Sequence, residues 1–171
     1  MNVRYLNPFV EAASEVLQAE TGLAAERGTL SLDKGAYITD EVTVVLSLIG
    51  QIDGVVFYSL SEALARVLAG AMLGEPFAAF DSLAQSGIAE LGNVITGRAS
   101  VKLAEADCVA DISPPTLLTG RGASLSTLQM ARLVVPLQMQ PGALTIHLAL
   151  REGSQRAPLP AVRARPQLTP G

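Results

Sequence analysis

At 171 residues the chain has the length of one ordinary domain, and a chain of this size buries roughly two thirds of its unfolded surface when it folds. Hydrophobic residues make up 49% of it, but no run of apolar residues approaches the ~18 to 20 of a membrane-spanning helix; the uncharged run Val42 to Ile52, for example, has only 11 residues. Before Glu152 the chain carries 9 basic and 15 acidic residues, which argues against broad binding to nucleic acid or anionic membranes. We expect a soluble domain whose partner is a protein or a small molecule.

The start of the chain and its single cysteine indicate the compartment. Residues 1–5 lack the apolar block and the small-residue cleavage site of a secretory signal. Cys108 is the only cysteine, so no internal disulfide can form, which is consistent with a reducing compartment. We therefore expect a cytoplasmic protein.

The first half of the chain is predicted to contain a helix, strands and a second helix. Asn7 is a favourable N-cap followed by Pro8, and Gly74 suits the end of a helix. Asp53-Gly54 is a strong signal for a short hairpin turn. In chain order we expect a helix at 7–22, a short strand at 29–32, strands at 42–52 and 55–60, and a helix at 61–73.

The second half is predicted to repeat this order around a longer helix. Asp81 is a good N-cap, and glycines inside the helix cost about 1 kcal/mol each relative to alanine. Pro136 cannot donate to a sheet, so its strand is expected at an edge or with a bulge. In chain order we expect a helix at 81–106, a strand at 109–112, and a hairpin of strands at 128–139 and 143–150 joined at 141–142. We divide the chain into one domain at 1–151 and a proline- and arginine-containing flexible tail at 152–171.

An internal repeat appears at an offset of 75 residues. The segment 15–22, EVLQAETG, aligns with 90–97, ELGNVITG, and each helix is followed by a short strand and then a hairpin. We therefore expect an α+β fold: a single domain of two related halves, with long helices packed on one face of an antiparallel-rich sheet.

The long helix is predicted to have one buried and one exposed face. At about 100° per residue, Ser86, Glu90, Asn93 and Gly97 lie together, and small or apolar residues gather on the opposite side. Glu90 and Asn93 are three positions apart, which allows a carboxylate and a carboxamide to act on one small target. Taken alone, this pattern also describes the solvated stripe of an ordinary amphipathic helix.

The segment 86–97, SGIAELGNVITG, resembles the signature of the CheC/CheX/FliY chemotaxis phosphatases. That signature has Asp or Ser, three residues, Glu, two residues, Asn, and then a proline a little over twenty residues later. Here Pro114 and Pro115 follow Asn93 by 21 and 22 positions, and the motif proline is one of the two. The segments 3–9 and 111–116 are similar to the CheX branch, so the resemblance covers residues 3 to about 150.

The resemblance implies a phosphatase that acts on a phosphorylated CheY-type response regulator. Asn93 would orient the attacking water, Glu90 would pair with a lysine of the regulator, and Ser86, Gly97 and Pro115 would contact this partner. Mg²⁺ would belong to the regulator, with no cofactor or metal in the chain itself. Members of this branch form homodimers whose sheets join.

The first helix is expected to be inactive, and the remaining candidates are expected to be structural. Gln18 stands where the first helix would need a second Asn, next to Glu15. His147 and Cys108 have no recognised catalytic pattern around them, and Cys108 has no basic neighbour in the sequence. Two alternatives stay open: a non-catalytic dimeric module that binds a response regulator or a flagellar switch component, and a small-molecule-binding domain.

Overall fold

The structure is a computed structural model of the chain, and it describes residues 3–128 and 130–153. The three α-helices are α1 Leu6–Thr21, α2 Glu62–Leu73 and α3 Ser82–Glu105. The ten strands are β1 Glu26–Arg27, β2 Ser31–Asp33, β3 Tyr37–Ile38, β4 Val42–Gly50, β5 Ile52–Leu60, β6 Ala110–Ile112, β7 Thr116–Thr119, β8 Ser124–Leu125, β9 Arg132–Met139 and β10 Gly142–Glu152. The predicted tail lies outside the described residues from position 154 onward.

The helices cover one face of an antiparallel sheet. Eight strands form this sheet in the order β1-β9-β10-β5-β4-β6, with β2 also paired to β9 and β7 also paired to β4. Apolar residues alternate along the four long strands and meet the buried sides of all three helices in one core. The α+β class predicted from the sequence is confirmed. No helix in residues 3–128 and 130–153 has the length and hydrophobicity needed to cross a bilayer.

The helix ends follow local rules with one exception. Gly22 and Gly74 end α1 and α2 in the left-handed conformation, and Asp81 caps α3 by accepting from the Ala84 N–H at 3.0 Å. The prediction that Asn7 caps α1 is wrong, because a 3₁₀ turn at Val3–Tyr5 runs directly into a helix that already begins at Leu6.

The turn between β4 and β5 differs from the predicted Asp53-Gly54 turn. The hairpin register pairs Leu48 with Gly54, so the chain reverses around Gln51. Asp53 accepts a hydrogen bond from the Gly50 N–H at 2.9 Å and braces the bend. Gly54 lies within β5 at φ 149°, where an added Cβ would clash with the Ala149 carbonyl oxygen. This glycine is therefore required for close strand approach rather than for the turn.

Pro136 lies within β9, where the pairing along the edge that faces β1 and β2 is interrupted. β1 pairs with 137–138 and β2 pairs with 132–134, which leaves Pro136 between them. Its carbonyl accepts from the Gly28 N–H at 2.8 Å, and in an extended strand N and O of one residue point to the same side. The missing donor of Pro136 therefore faces this interruption, and no ladder hydrogen bond to β10 is lost.

The two halves are related by a pseudo-twofold arrangement that interlocks them. The hairpin β4-β5 begins at Val42 and Ile52, and the hairpin β9-β10 begins 90 residues later at Arg132 and Gly142. β5 and β10 pair with each other at the centre, and β3 pairs with β8 in a separate small sheet. The short strands exchange halves: β1 and β2 pair with β9, whereas β6 and β7 pair with β4.

Candidate active site

Helix α3 presents the predicted face because its other side is held in the core. The side predicted to be buried is buried, and its members are Ala84, Ile88, Leu91, Ile95 and Ala99. Glu90 and Ser86 are exposed, and Asn93 and Gly97 are partly exposed. α3 packs against both α1 and the strands β4, β6 and β7. The faces expected from helical spacing are therefore confirmed.

Glu90 and Asn93 contact each other at the surface of α3. The Asn93 Nδ2 atom donates to Glu90 Oε2 at 3.4 Å, a long hydrogen bond. Among the described residues, no lysine, arginine or histidine forms an ion pair with Glu90. One carboxylate oxygen of Glu90 and the carbonyl oxygen of Asn93 thus stay available to an incoming molecule. The pair offers an anchor for a cation beside a group that can both donate to and accept from a water molecule.

The other predicted site residues lie at the two ends of this exposed face. The Ser86 hydroxyl donates to the Ser82 carbonyl at 2.9 Å, so its lone pairs remain available to a donor. At the other end, a Cβ added to Gly97 would lie 3.9 Å from Ile112 Cδ1. Pro114 is exposed and Pro115 half-buried in the link between β6 and β7. Ile112 therefore brings the start of this link next to the Gly97 end of α3.

Gly92 serves the internal packing of α3 against the sheet. It is buried, and an added Cβ would lie 2.7 Å from Val44 Cγ1 and 3.4 Å from Tyr58 Cδ2. Such a distance is too short for real side chains, because interiors are close-packed. The missing side chain allows α3 to approach β4 and β5 at this point.

A buried hydroxyl pair also joins α3 to the sheet, and sequence reasoning missed it. The hydroxyls of Tyr58 and Thr96 are 2.8 Å apart, and Thr96 donates to the Gly92 carbonyl at 2.8 Å. Both side chains are buried, and burial raises the pKa of Tyr58. The sequence signal was a tyrosine among the aliphatic residues of the core-facing side of β5, because a buried phenol requires a hydrogen-bond partner.

Helix α1 carries the repeat counterparts, and they have different neighbours. Glu15, which aligns with Glu90, is paired with Arg98 Nε at 2.9 Å and Lys102 Nζ at 2.8 Å. Hydrogen bonds from Lys102 and Arg98 hold the pKa of Glu15 below its ordinary value. Gln18 donates to the Gly22 carbonyl at 3.3 Å. The carboxylate of Glu90 on α3 is thus open, whereas the carboxylate of its counterpart on α1, Glu15, is neutralised by two cationic side chains of the same chain.

His147 lies on the opposite face of the sheet, far from the helices. Its Nε2 atom is 3.0 Å from the Ser59 hydroxyl, and the Tyr37 ring lies 4.7 Å away, centroid to centroid. Burial, and then the charge of Arg132, lower the pKa of His147 to about 4. Its Nδ1 atom has no partner among the described residues, so no third group orients the ring for catalysis. The geometry is that of a buried structural pair.

Cys108 has a basic neighbour that the sequence order conceals. Arg4 Nη2 donates to Cys108 Sγ at 3.3 Å across a separation of 104 positions. The expectation that no basic residue lies near this thiol is therefore wrong. The thiol remains buried, and no group of three or more potential metal ligands occurs within the described parts of the chain.

Similarity to known proteins agrees with this fold. A CheC-like superfamily protein from Shewanella sp. PV-4 superimposes with a TM-score of 0.80 at 23% identity, covering 88% of this chain and 99% of that one. The CheX-CheY-BeF3-Mg complex from Borrelia burgdorferi matches with a TM-score of 0.75 at 27% identity, covering 88% of this chain and 100% of that one. The fold is thus that of the CheC-like class.

The sequence comparisons narrow this class to one family. The CheY-P phosphatase CheX of Thermotoga maritima is 28% identical over 155 residues, or 90% of this chain and 99% of that protein. The family model described as Chemotaxis phosphatase CheX matches residues 42–138, more than half of the chain and including α3. The chain belongs to the CheX family of chemotaxis phosphatases.

Proposed function

We propose that the chain hydrolyses the aspartyl phosphate of a CheY-type response regulator, with Glu90 and Asn93 as its working residues. The observation that carries this proposal is the exposed pair on α3, whose carboxylate has no cationic partner among the described residues. Membership of the CheX family and the CheY-P phosphatase activity named for the Thermotoga relative support the reaction class.

In this mechanism Asn93 positions a water molecule for attack on phosphorus. The water oxygen forms a bond to phosphorus as the bond to the aspartyl oxygen breaks, which yields inorganic phosphate and a free aspartate carboxylate. A carboxamide can donate to and accept from the water and hold it in line, and this lowers the entropic part of the barrier. Mg²⁺ on the regulator would stabilise the charge of the phosphoryl group, as the composition of the Borrelia complex suggests.

Glu90 is proposed as an anchor rather than as a general base. A regulator lysine next to the phosphorylated aspartate would form a charge-assisted hydrogen bond with the open carboxylate oxygen. This contact would fix the two proteins in register, so that Asn93 meets the phosphoryl group. Ser86, Gly97 and Pro115 would complete the contact surface around the pair.

The same proposal includes the domain boundaries, the cellular location and the oligomeric state. We propose a catalytic domain at 1–151, a location in the cytoplasm where the regulator resides, and a homodimer. Sedimentation of the purified chain at micromolar concentration would test the dimer directly.

The decisive experiment measures phosphate release from a purified, phosphorylated regulator in the presence of catalytic amounts of the chain. Asn93→Ala should lower turnover by about 100-fold with regulator binding retained, because only the water loses its ligand. Glu90→Ala should weaken both binding and turnover. Gln18→Ala and Glu15→Ala are matched controls on α1 and should leave turnover unchanged.

The outcome also separates this function from the non-catalytic alternative. A pure binding module would protect the phosphorylated regulator or act only in stoichiometric amounts. Unchanged phosphate release with Asn93→Ala would refute the assignment of the catalytic pair, even if the wild-type chain is a phosphatase.

A further inference from the structure

We propose that Tyr58 and Thr96 are positioning residues that fix the rotation of α3 about its own axis and thereby the direction of Asn93. This inference rests on the proposed function for its kinetic consequence. Its structural part, the control of Asn93 by a buried hydroxyl pair, stands on the geometry of the core.

Small rotations of α3 matter because the tip of the Asn93 side chain lies away from the helix axis. Side-chain tips lie about 5 to 6 Å from the axis of a helix, so a rotation of about 10° displaces them by about 1 Å. A displacement of that size can reduce the rate of a positioned reaction by about 100-fold. A helix that carries a water-orienting carboxamide therefore needs a directional constraint in addition to apolar contacts.

The hydroxyl pair of Tyr58 and Thr96 provides this directional constraint. Thr96 has one hydroxyl proton, and it donates this proton to the Gly92 carbonyl at 2.8 Å. Tyr58 must then be the donor in its 2.8 Å contact with the Thr96 oxygen. The resulting chain runs from the central strand β5 through Thr96 to the backbone of Gly92, the residue before Asn93. Hydrogen bonds require good alignment, so this chain resists rotation where apolar contacts allow sliding.

The other contacts of α3 are less directional. Arg98 and Lys102 reach Glu15 through long side chains at the surface, where water competes for them. The core contacts of α3 are apolar side chains, which are non-directional. Gly92 limits the distance between α3 and β4, but a glycine without a side chain cannot by itself fix an angle. The Tyr58–Thr96 pair is the polar link that joins the buried side of α3 to the sheet within the described residues.

The chain contains a matched control for this hypothesis. Tyr37 is also buried, and its hydroxyl lies 2.9 Å from that of Thr43, on the face of the sheet opposite to α3. Tyr37→Phe and Tyr58→Phe both remove one phenolic hydroxyl from a buried tyrosine–threonine pair. Only Tyr58→Phe removes a contact to the helix that carries Asn93.

The test compares steady-state kinetics of these variants on a phosphorylated regulator. Tyr58→Phe and Thr96→Val should lower kcat about tenfold and change KM by less than about twofold, because docking is intact but the water is misplaced. Thr96→Ser keeps the hydroxyl and should retain wild-type kcat, and Tyr37→Phe should do the same. Wild-type kcat in Tyr58→Phe and Thr96→Val would overturn the proposal. An equal loss in Tyr37→Phe would also overturn it, because the effect would then be general destabilisation.

A second readout does not depend on the phosphatase activity. The side-chain amide signals of Asn93 in the NMR spectrum report its orientation and order, and they should shift in Thr96→Val but not in Tyr37→Phe. If the wild-type chain releases no phosphate, the proposed function fails, and these signals still decide the positioning role. Unchanged Asn93 signals in both Tyr58→Phe and Thr96→Val would refute it.

Discussion

Helices α1 and α3 occupy equivalent places in the two halves, yet only α3 carries an exposed, unpaired acidic group next to an asparagine. Glu15 and Glu90 align in the repeat, but Glu15 is bound by Arg98 and Lys102. Glu90 contacts Asn93 and no cation among the described residues. The comparison teaches that equivalent carboxylates become either a structural ion pair or an open, exposed group according to what the neighbouring helix supplies.

The two helices also differ in how the sheet holds them. Leu17 in α1 stands at the repeat position of Gly92, so α1 has a bulky side chain where α3 has none. Thr21 bonds back to its own helix at the Leu17 carbonyl, as Thr96 does to Gly92, but has no tyrosine partner among the described contacts. The helix that carries Glu90 and Asn93 is therefore the one that approaches the sheet closely and is joined to it by a directional contact.

Exchanging the asparagine and the glutamine of the two helices gives the largest expected effect. Asn93→Gln should lower turnover by about 100-fold, because one extra methylene moves the carboxamide away from the water. Gln18→Asn should add no turnover, since Glu15 remains neutralised within the chain. Phosphate release from a phosphorylated regulator measures both. A rise in turnover with Gln18→Asn would show that α1 is a second latent site.

The halves also differ at the centre of the sheet, where Phe57 of the first half faces His147 of the second. The pKa of His147 is about 4 in the folded chain and about 6.5 when it is exposed. Between these values the unfolded state binds a proton that the folded state does not, so stability falls as the pH falls. We expect the free energy of unfolding to fall by about 2 kcal/mol from pH 7 to pH 5 through this group.

Urea unfolding at the two pH values, with His147→Gln as the reference, isolates this contribution. The variant should lose about 2 kcal/mol less than the wild-type chain over the same interval. Equal losses in both proteins would mean that His147 is protonated in the folded state at pH 5.

The smallest expected effects distinguish Gly92 and Gly97, two of the three glycines of α3. Gly97→Ala should raise stability by about 1 kcal/mol, because its Cβ would lie 3.9 Å from the nearest atom and alanine favours the helix. Gly92→Ala gains the same propensity but places its Cβ 2.7 Å from Val44 Cγ1, in a packed core. We expect a net loss of about 1 kcal/mol. Chemical denaturation of both variants tests this difference in sign.

Much of the fold could be predicted because local signals and the fold agree. Ser61 and Asp81 cap their helices, and the spacing of apolar residues along α3 predicts which side is buried. The turn at Asp53-Gly54 could not be predicted correctly. Asp53 braces the bend by accepting from the Gly50 N–H, and Gly54 is required by its close approach to Ala149, a residue distant in sequence that local turn signals do not reveal.

Some features of the candidate site could likewise be predicted from the sequence, and others could not. Glu90 and Asn93 could be found because the motif lies within one helix. The roles of Gly92 and Tyr58 could not, because they arise where α3 meets β4 and β5, and helical spacing carries no information about the sheet. The proximity of Arg4 to Cys108 is likewise set by tertiary structure alone.

The exchange of short strands between the halves has a consequence for folding during synthesis on the ribosome. Ser31 in β2 pairs with Val134 in β9, so an early strand waits for a partner synthesised about 100 residues later. At about 10 residues per second this delay is on the order of 10 s. Neither half can close its own sheet edge during that time, and such non-local pairing also slows folding of the finished chain. The nascent first half therefore exposes unpaired strand edges that chaperones can recognise.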